Sequence, residues 1–250
     1  MEIQIVTTTS GIKGQLRDAT NEADIRNALW SISLLVKYEF FLLGMLMPIS
    51  ATSSELFKVD NYPEEWKHHY AEQKYLHKDP AFHYAMSNYL PIDWQCLLEE
   101  GALKSDGREV ILQAKKFGLN TGFTIPIHGV LGQFGVINYA TASLENGTDH
   151  QLRKAISVTQ LLVPSLQEAI KRICCNQLTS AASFLTKREV ECLIWATEGK
   201  SSWEISRILG CSEHTAIFHL KNASVKLGAS NRYQAISKAM LSGIIQPVFG

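Results

Sequence analysis

The chain has 250 residues, 24 Lys and Arg against 24 Asp and Glu, 46% hydrophobic and 19% charged side chains. That composition excludes a disordered or fibrous chain and leaves room for two globular domains. The overall balance hides an asymmetry: residues 171–250 hold 10 basic side chains against 5 Glu and no Asp, so a segment of net +5 follows one of net −5. A basic module joined to an acidic one fits phosphate binding confined to the C-terminal part.

The N-terminus, Met-Glu-Ile-Gln, lacks a basic stretch before an apolar core, so no signal peptide is expected. Ile25, Leu29, Ile32 and Val36 share one stripe and predict an amphipathic helix over 23–36. Tyr38–Met47 reads as a buried strand. The most apolar run, Phe40–Ile49, is half the ~20 residues that a membrane helix requires. Ser54–Val59 is a strand to pair with it. Pro63 opens a helix at its tolerated first position, running to about Lys74, and Asp79 is the candidate N-cap of the next. Residues 107–117 read as a helix stopped by Gly118. Phe123–His128 and Phe134–Ala140 form a hairpin across Gly129-Val-Leu-Gly132. Asp149–Cys174 is one long helix with Leu152, Ile156, Val163, Leu166, Ile170 and Ile173 on a stripe. Helices before, within and after the strands imply an α+β fold, an α-β-α sandwich around an antiparallel sheet. The small polar stretch Gln177–Ser183 is a linker. The expected division is therefore a domain over 1–174, a linker over 175–184, and a second domain over 185–250.

The second domain reads as an all-α helix-turn-helix bundle. Thr186 with Glu189 forms a capping box, and Gly199 ends that helix. Ser201 or Ser202 caps a second helix that stops at Gly210, and Ser212 caps a third. Ala216, Leu220, Ala223 and Leu227 share one face of the third helix and fill the core side. The opposite face mixes His214, Ile217, Phe218, Lys221 and Val225. Donors beside apolar groups suit base edges: Lys221 matches guanine acceptors, and Ile217 or Phe218 matches thymine methyls. The candidate DNA-facing residues are Ser201, Ser202, His214, Thr215, Ile217, Phe218 and Lys221, with Arg232 near the last cap holding phosphate. A small amphipathic bundle with stray exposed apolar residues is the competing account.

In the first domain, Tyr62, Trp66 and Tyr70 are four apart on one helical face. Trp66 only donates, ionised Asp79 only accepts, and Tyr62 does either. A buried cluster of this kind fits a ligand with one N–H and two carbonyls, as in an acyl-homoserine lactone. Aromatic core packing with Asp79 as a mere cap explains the same residues equally well. The five cysteines, Cys96, Cys174, Cys175, Cys192 and Cys211, are irregularly spaced with no Cys-x-x-Cys pair. They argue against disulfides or zinc and for a reducing cytoplasm.

Residues 185–245 resemble the LuxR-type helix-turn-helix at Glu189, Leu193 and Gly199, in the run Ser201-Ser-Trp-Glu-Ile-Ser206, and in Thr215-x-x-x-His-Leu-x-Asn-Ala223. Asn61-Tyr-Pro-x-x-Trp-x-x-x-Tyr70, Asp79-Pro80, Trp94 and Gly122 resemble the autoinducer-binding domain of LuxR-type quorum-sensing regulators. The resemblance implies that Trp66 bonds the lactone carbonyl, that Asp79 accepts the amide N–H, and that Tyr62 lies near the acyl carbonyl. Tyr70 and Trp94 would pack beside the acyl chain and the lactone. Asn138 stands near the amide where members often carry Ser or Thr, and Ala216 where a larger Val is usual. The family further implies a cytoplasmic homodimeric activator on a palindromic promoter site, with RNA polymerase as a partner and no cofactor, metal or membrane.

Other classes lack their residues. A response regulator needs an acidic pair, a phosphorylatable Asp and a later Lys on a parallel α/β pattern. A lactone-cleaving enzyme needs Gly-x-Ser-x-Gly or a His-x-His-x-Asp metal cluster, and neither occurs. A receptor of the same family for a different small molecule stays open.

Overall fold

The structure is a computed structural model that describes residues 2–50, 53–99, 105–129, 132–143, 149–175 and 185–245. The expected linker, 175–184, falls almost wholly outside these residues, as do Val130 and Leu131 of the expected hairpin turn. The chain divides into two compact units, one built on a sheet and one on four helices.

The elements of the first unit are α1 (Glu2–Asp18), α2 (Glu22–Val36), β1 (Phe40–Ser50), β2 (Ser53–Asp60), α3 (Glu64–Glu72), a 3₁₀ turn at Tyr75–His77, and α4 (Pro80–Ser87). There follow β3 (Ile92–Asp93), α5 (Trp94–Glu99), α6 (Ser105–Lys116), β4 (Thr121–His128), β5 (Phe134–Thr141) and α7 (Asp149–Cys175). The five strands lie in the order β2-β1-β5-β4-β3. The β1–β5, β5–β4 and β4–β3 pairs are antiparallel. Strand period two then sorts the side chains. Phe41, Leu43, Phe123, Ile125, Ile137 and Tyr139 face one way and are all 2% exposed or less. Their rings cluster, and Trp30 of α2 lies edge-on to Phe41 at 6.4 Å. The other face carries Leu42, Gly44, Thr124, Val136 and Asn138 and is covered from α3 to α6. Helices on both faces of an antiparallel sheet make the expected sandwich.

Among the described residues, four elements escaped the sequence reading: α1, the 3₁₀ turn at Tyr75–His77, β3 and α5. Thr7-Thr8-Thr9, Gly11 and Gly14 make α1 a poor intrinsic helix. Tertiary contacts sustain it: Ile12 and Leu16 are buried, and Arg172 of α7 donates to the Leu16 and Arg17 carbonyls at 2.6 and 2.9 Å. Those carbonyls lie in the last turn, where the helix leaves them unpaired. The stripe of α7 is also displaced from expectation. Its buried row is Ala155, Val158, Thr159, Leu162, Leu166, Ala169 and Ile170. Leu152, Ile156, Val163 and Ile173 are only half-buried. The buried row includes Ala155, Thr159 and Ala169, which a pattern read from large apolar side chains misses.

The second unit contains α8 (Lys187–Thr197), α9 (Ser202–Leu209), α10 (Glu213–Lys226) and α11 (Arg232–Leu241). Cys192, Leu193, Ile205, Ala216, Leu220, Ala223, Leu227 and Ala235 form its core. Capping boxes at Thr186/Glu189 and Ser201/Glu204 start α8 and α9, and Ser212 caps α10. Gly210 ends α9 at φ 66°, a left-handed conformation that costs glycine little.

Candidate functional site

Below the sheet face of Leu42 and Asn138 lies a cavity of about 270 Å³. All six sequence-predicted ligand residues, Tyr62, Trp66, Tyr70, Asp79, Trp94 and Asn138, line it. Local chemistry places each of them. Asn61 bridges β1, accepting from the Phe41 N–H at 2.6 Å and donating to the Glu39 carbonyl at 2.9 Å, so Tyr62 enters at a set point. Pro63 is the N-cap of α3 rather than its first helical residue. The α3 face then turns Trp66 and Tyr70 inward, 5.5 Å apart edge to face. His68 points out and His69 in, as adjacent helical residues must.

Asp79 is both cap and site. Its Oδ1 accepts from the Ala81 and Phe82 N–H groups at 2.9 and 3.3 Å, and its Oδ2 accepts from the Tyr70 hydroxyl at 2.8 Å. Burial pushes the Asp79 pKa upward, while Tyr70 and the two N–H groups pull it down less strongly. Burial also raises Tyr62 and Tyr70 far above the ordinary phenol value, with the Asp79 charge adding to it. Both phenols therefore stay protonated and able to donate. The Tyr70 bond to Asp79 was not foreseen; spacing shows a shared helical face but not a contact with a residue nine positions on.

Trp94 is held differently. Its indole N–H donates to Thr124 Oγ1 at 2.9 Å, so the ring contributes a surface and not a donor. The ring lies on Gly122, where an added Cβ would meet two Trp94 ring carbons at 2.9 Å and the Tyr139 carbonyl at 2.6 Å. Only glycine permits that approach. Tyr62 Oη and Asn138 Oδ1 are buried at the cavity without a close hydrogen bond, and the two side chains are neighbours there. Such atoms are rare and costly in a closed core. Most of the remaining wall is apolar, from Leu42, Leu46, Phe82, Val110, Ile111, Phe134 and Val136; Lys58 and Lys67 also line it, both paired with Asp60. A pocket of this kind takes an amphiphile with a polar head and an aliphatic tail. Apart from Asn138, the strand residues among its lining were missed because an alternating strand shows which side chains share a face, not which helix leaves a gap above them.

In the second unit, α10 presents His214, Ile217, Phe218 and Lys221 to solvent, with Ile217 49% and Phe218 53% exposed. The four residues expected on its core face are buried. Ser201, not Ser202, is the cap; its hydroxyl donates to Glu204 Oε2 at 2.8 Å. Thr215 Oγ1 is 2.7 Å from Ser212 Oγ, inside the cap of α10. Arg232 lies at the start of α11 and donates through Nη2 to the Lys200 carbonyl. Trp203, 59% exposed on α9, adds a large apolar surface absent from the sequence-based candidates. Among the described residues, no group of three or more His, Cys, Asp or Glu is placed to hold a metal ion, and no helix is long and apolar enough to cross a membrane.

An amphiphile pocket in one unit and a helix-turn-helix in the other frame the comparisons with known proteins. Residues 21–170 match the autoinducer binding domain family, and residues 183–239 match the bacterial regulatory proteins of the luxR family. The chain belongs to the LuxR family of regulators. Among similar LuxR-family proteins, the transcriptional activator VanR of Vibrio anguillarum is 42% identical, over 91% of this chain and 93% of its own. The transcriptional activator LuxR of Aliivibrio fischeri is 38% identical over 98% and 97%. Among solved structures, SdiA in complex with octanoyl-rac-glycerol has a TM-score of 0.77 at 23% identity, over 97% of this chain and 98% of that one. CepR2 of Burkholderia cenocepacia has a TM-score of 0.52 at 17% identity, over 70% of this chain and 98% of that one. At these identities the two structures speak for the fold alone.

Proposed function

We propose that this LuxR-family regulator binds an acyl-homoserine lactone in the cavity of its first unit and then, as a homodimer, activates transcription from a palindromic promoter site. The observation that carries the ligand reading is the polar set on one apolar cavity. Asp79 Oδ2 offers acceptance to an amide N–H; Trp66 and Tyr62 offer N–H and O–H to two carbonyls; and Tyr62 Oη and Asn138 Oδ1 are buried without a close hydrogen bond. Trp94 and Tyr70 supply ring surfaces. The identity to activators over nearly the whole chain supports the sign of regulation and RNA polymerase as a further partner. The test is to expose cells making the protein to a mixture of acyl-homoserine lactones and to mass-analyse what co-purifies. A lactone in near-stoichiometric amount supports the reading; a different small molecule, or none, overturns it.

The DNA reading places α10 in the major groove, with His214, Ile217, Phe218 and Lys221 toward base edges and Ser202 beside the backbone. Ser201 and Thr215 hold the two caps that present it. Lys221→Ala is expected to cost about 1–3 kcal/mol on the specific site and to relax its sequence preference. Arg232→Ala is expected to weaken all sequences alike and flatten the salt dependence. Since Arg232 also ties α11 to the Lys200 carbonyl, a melt of the same variant separates lost phosphate contact from lost stability. Titrations of operator and scrambled DNA at two salt concentrations decide both. Unchanged operator preference in Lys221→Ala would mean the helix faces the other way.

For assembly, the half-buried Ile156, Val163 and Ile173 and the 54% exposed Leu161 on α7 support a partner surface. A module of modest positive charge also gains most from pairing on one site. Ligand-bound protein at micromolar concentration should sediment as a dimer; a monomer binding DNA one to one would contradict this.

A further inference from the structure

The register of the sheet gives the cavity a direction. Leu42, Gly44 and Leu46 follow one another along β1, paired with Asn138, Val136 and Phe134 of β5. Asn138 also pairs with Thr124, the residue that holds Trp94. Asn138 therefore stands at the end that holds Trp94, and the sheet side of the lining is apolar from there to Leu46 and Phe134; Lys58 and Lys67, which also line the cavity, are paired with Asp60. Gly44 stands midway along that path.

Nothing in the backbone requires a glycine there. Gly44 is not among the residues of positive φ, and an added Cβ would meet only Leu42 Cδ2, at 3.8 Å. A glycine inside a strand weakens it and commonly marks the close approach of a ligand. At this position the missing side chain is open cavity. Four residues of strand cover about 13 Å. An extended covalent chain advances roughly 1.2 Å per bond, a third of the span of one extended residue. A tail that starts beside Asn138 thus reaches Phe134 with on the order of eleven carbons, and passes Gly44, halfway, with about half that number.

We propose that Gly44 sets the acyl-chain reach of the site, keeping open a channel about eleven carbons long that selects lactones with tails long enough to pass Gly44 over those with about four carbons. The proposal rests on the assignment of an acyl-homoserine lactone to the cavity. Each methylene buried along the channel strengthens binding about fourfold. Gly44→Val suits a strand and has room at its Cβ, but its methyls occupy the path of the tail.

The experiment measures binding of butanoyl-, octanoyl- and decanoyl-homoserine lactone to the full chain and to Gly44→Val. Wild type should prefer the two longer lactones. In Gly44→Val they should weaken by about tenfold or more, with butanoyl-homoserine lactone changed by less than about twofold. A Gly44→Val protein that keeps the wild-type order overturns the proposal, as does a wild type that binds all three alike. In either case the lactone assignment itself still stands. A wild type that binds none of the three, nor any other lactone, overturns the assignment and the proposal together. Should Gly44→Val fail to fold, Gly44→Ala adds a single methyl in open space and carries the same comparison.

Discussion

Asp79→Asn should abolish most of the ligand-dependent stabilisation of the first unit while leaving the ligand-free protein at least as stable as wild type. A ligand at a hundredfold excess over its dissociation constant stabilises by about 2.7 kcal/mol, which for a unit of this size raises the midpoint by roughly 5–10 °C. In the variant, Asn caps α4 as well as Asp does, so the Ala81 and Phe82 N–H groups keep their acceptor. The second carboxylate oxygen becomes an NH₂ group facing the ligand amide, donor against donor. Apo stability holds because a buried charge is removed and the new NH₂ donates to Tyr70 Oη, reversing the bond that Oδ2 accepted. Burial raises the Asp79 pKa, so the folded state binds the proton more readily than the unfolded chain. The Asp79 contribution is then most favourable at low pH and falls as pH rises from the ordinary 3.8 through the raised folded value. Melts of both proteins across pH 4–8, with and without a lactone series, check each part. A variant that gains as much as wild type from ligand would show that Asp79 is not the acceptor.

The second large effect is expected at Glu189, which is buried at 2% exposure. Its carboxylate receives Lys226 Nζ at 2.8 and 2.9 Å and the Thr186 N–H at 2.7 Å, so one side chain caps α8 and ties it to α10. Lys226→Met leaves that carboxylate buried without its cation. The cost of breaking a buried pair is about 3–5 kcal/mol. The Lys226 side chain is 32% exposed, so solvent screening lowers the expectation to about 2–3 kcal/mol. The small four-helix unit should lose most of its stability and its DNA binding, while ligand binding by the first unit persists. The pH dependence has the opposite sign to that of Asp79. Burial alone would raise Glu189, but Lys226 and the Thr186 N–H outweigh it and hold it below the ordinary 4.5. Its stabilisation is complete above that value and is lost as pH falls through the lowered one. Chemical denaturation of the separate transitions at pH 7 and pH 4 reads both effects. A Lys226→Met protein with an unshifted DNA-binding transition would refute the role of this pair.

The helix-turn-helix was legible residue by residue because its signals are local. Thr186/Glu189, Ser201/Glu204 and Ser212 lie within one turn of the N–H groups they cap, and Ala216, Leu220, Ala223 and Leu227 repeat at the helical period. The β1 and hairpin strands were legible for the same reason, and their alternation survives in the burial of Phe41, Leu43, Ile137 and Tyr139. The six pocket residues were found by chemical type and by resemblance, not by any rule of spacing. What only the tertiary structure decided is non-local. Arg172 sustains α1 across 156 residues, Thr124 claims the Trp94 N–H across 30, and Tyr70 claims Asp79 Oδ2. The strand pairing set the order of Leu42, Gly44 and Leu46 against Asn138, Val136 and Phe134. Capping and helical or strand periodicity act over one turn or one strand, so the amino-acid order states them directly. A hydrogen-bond partner, a gap above a strand or a cation over a buried carboxylate depends on which distant segments pack together, and no local pattern encodes that choice.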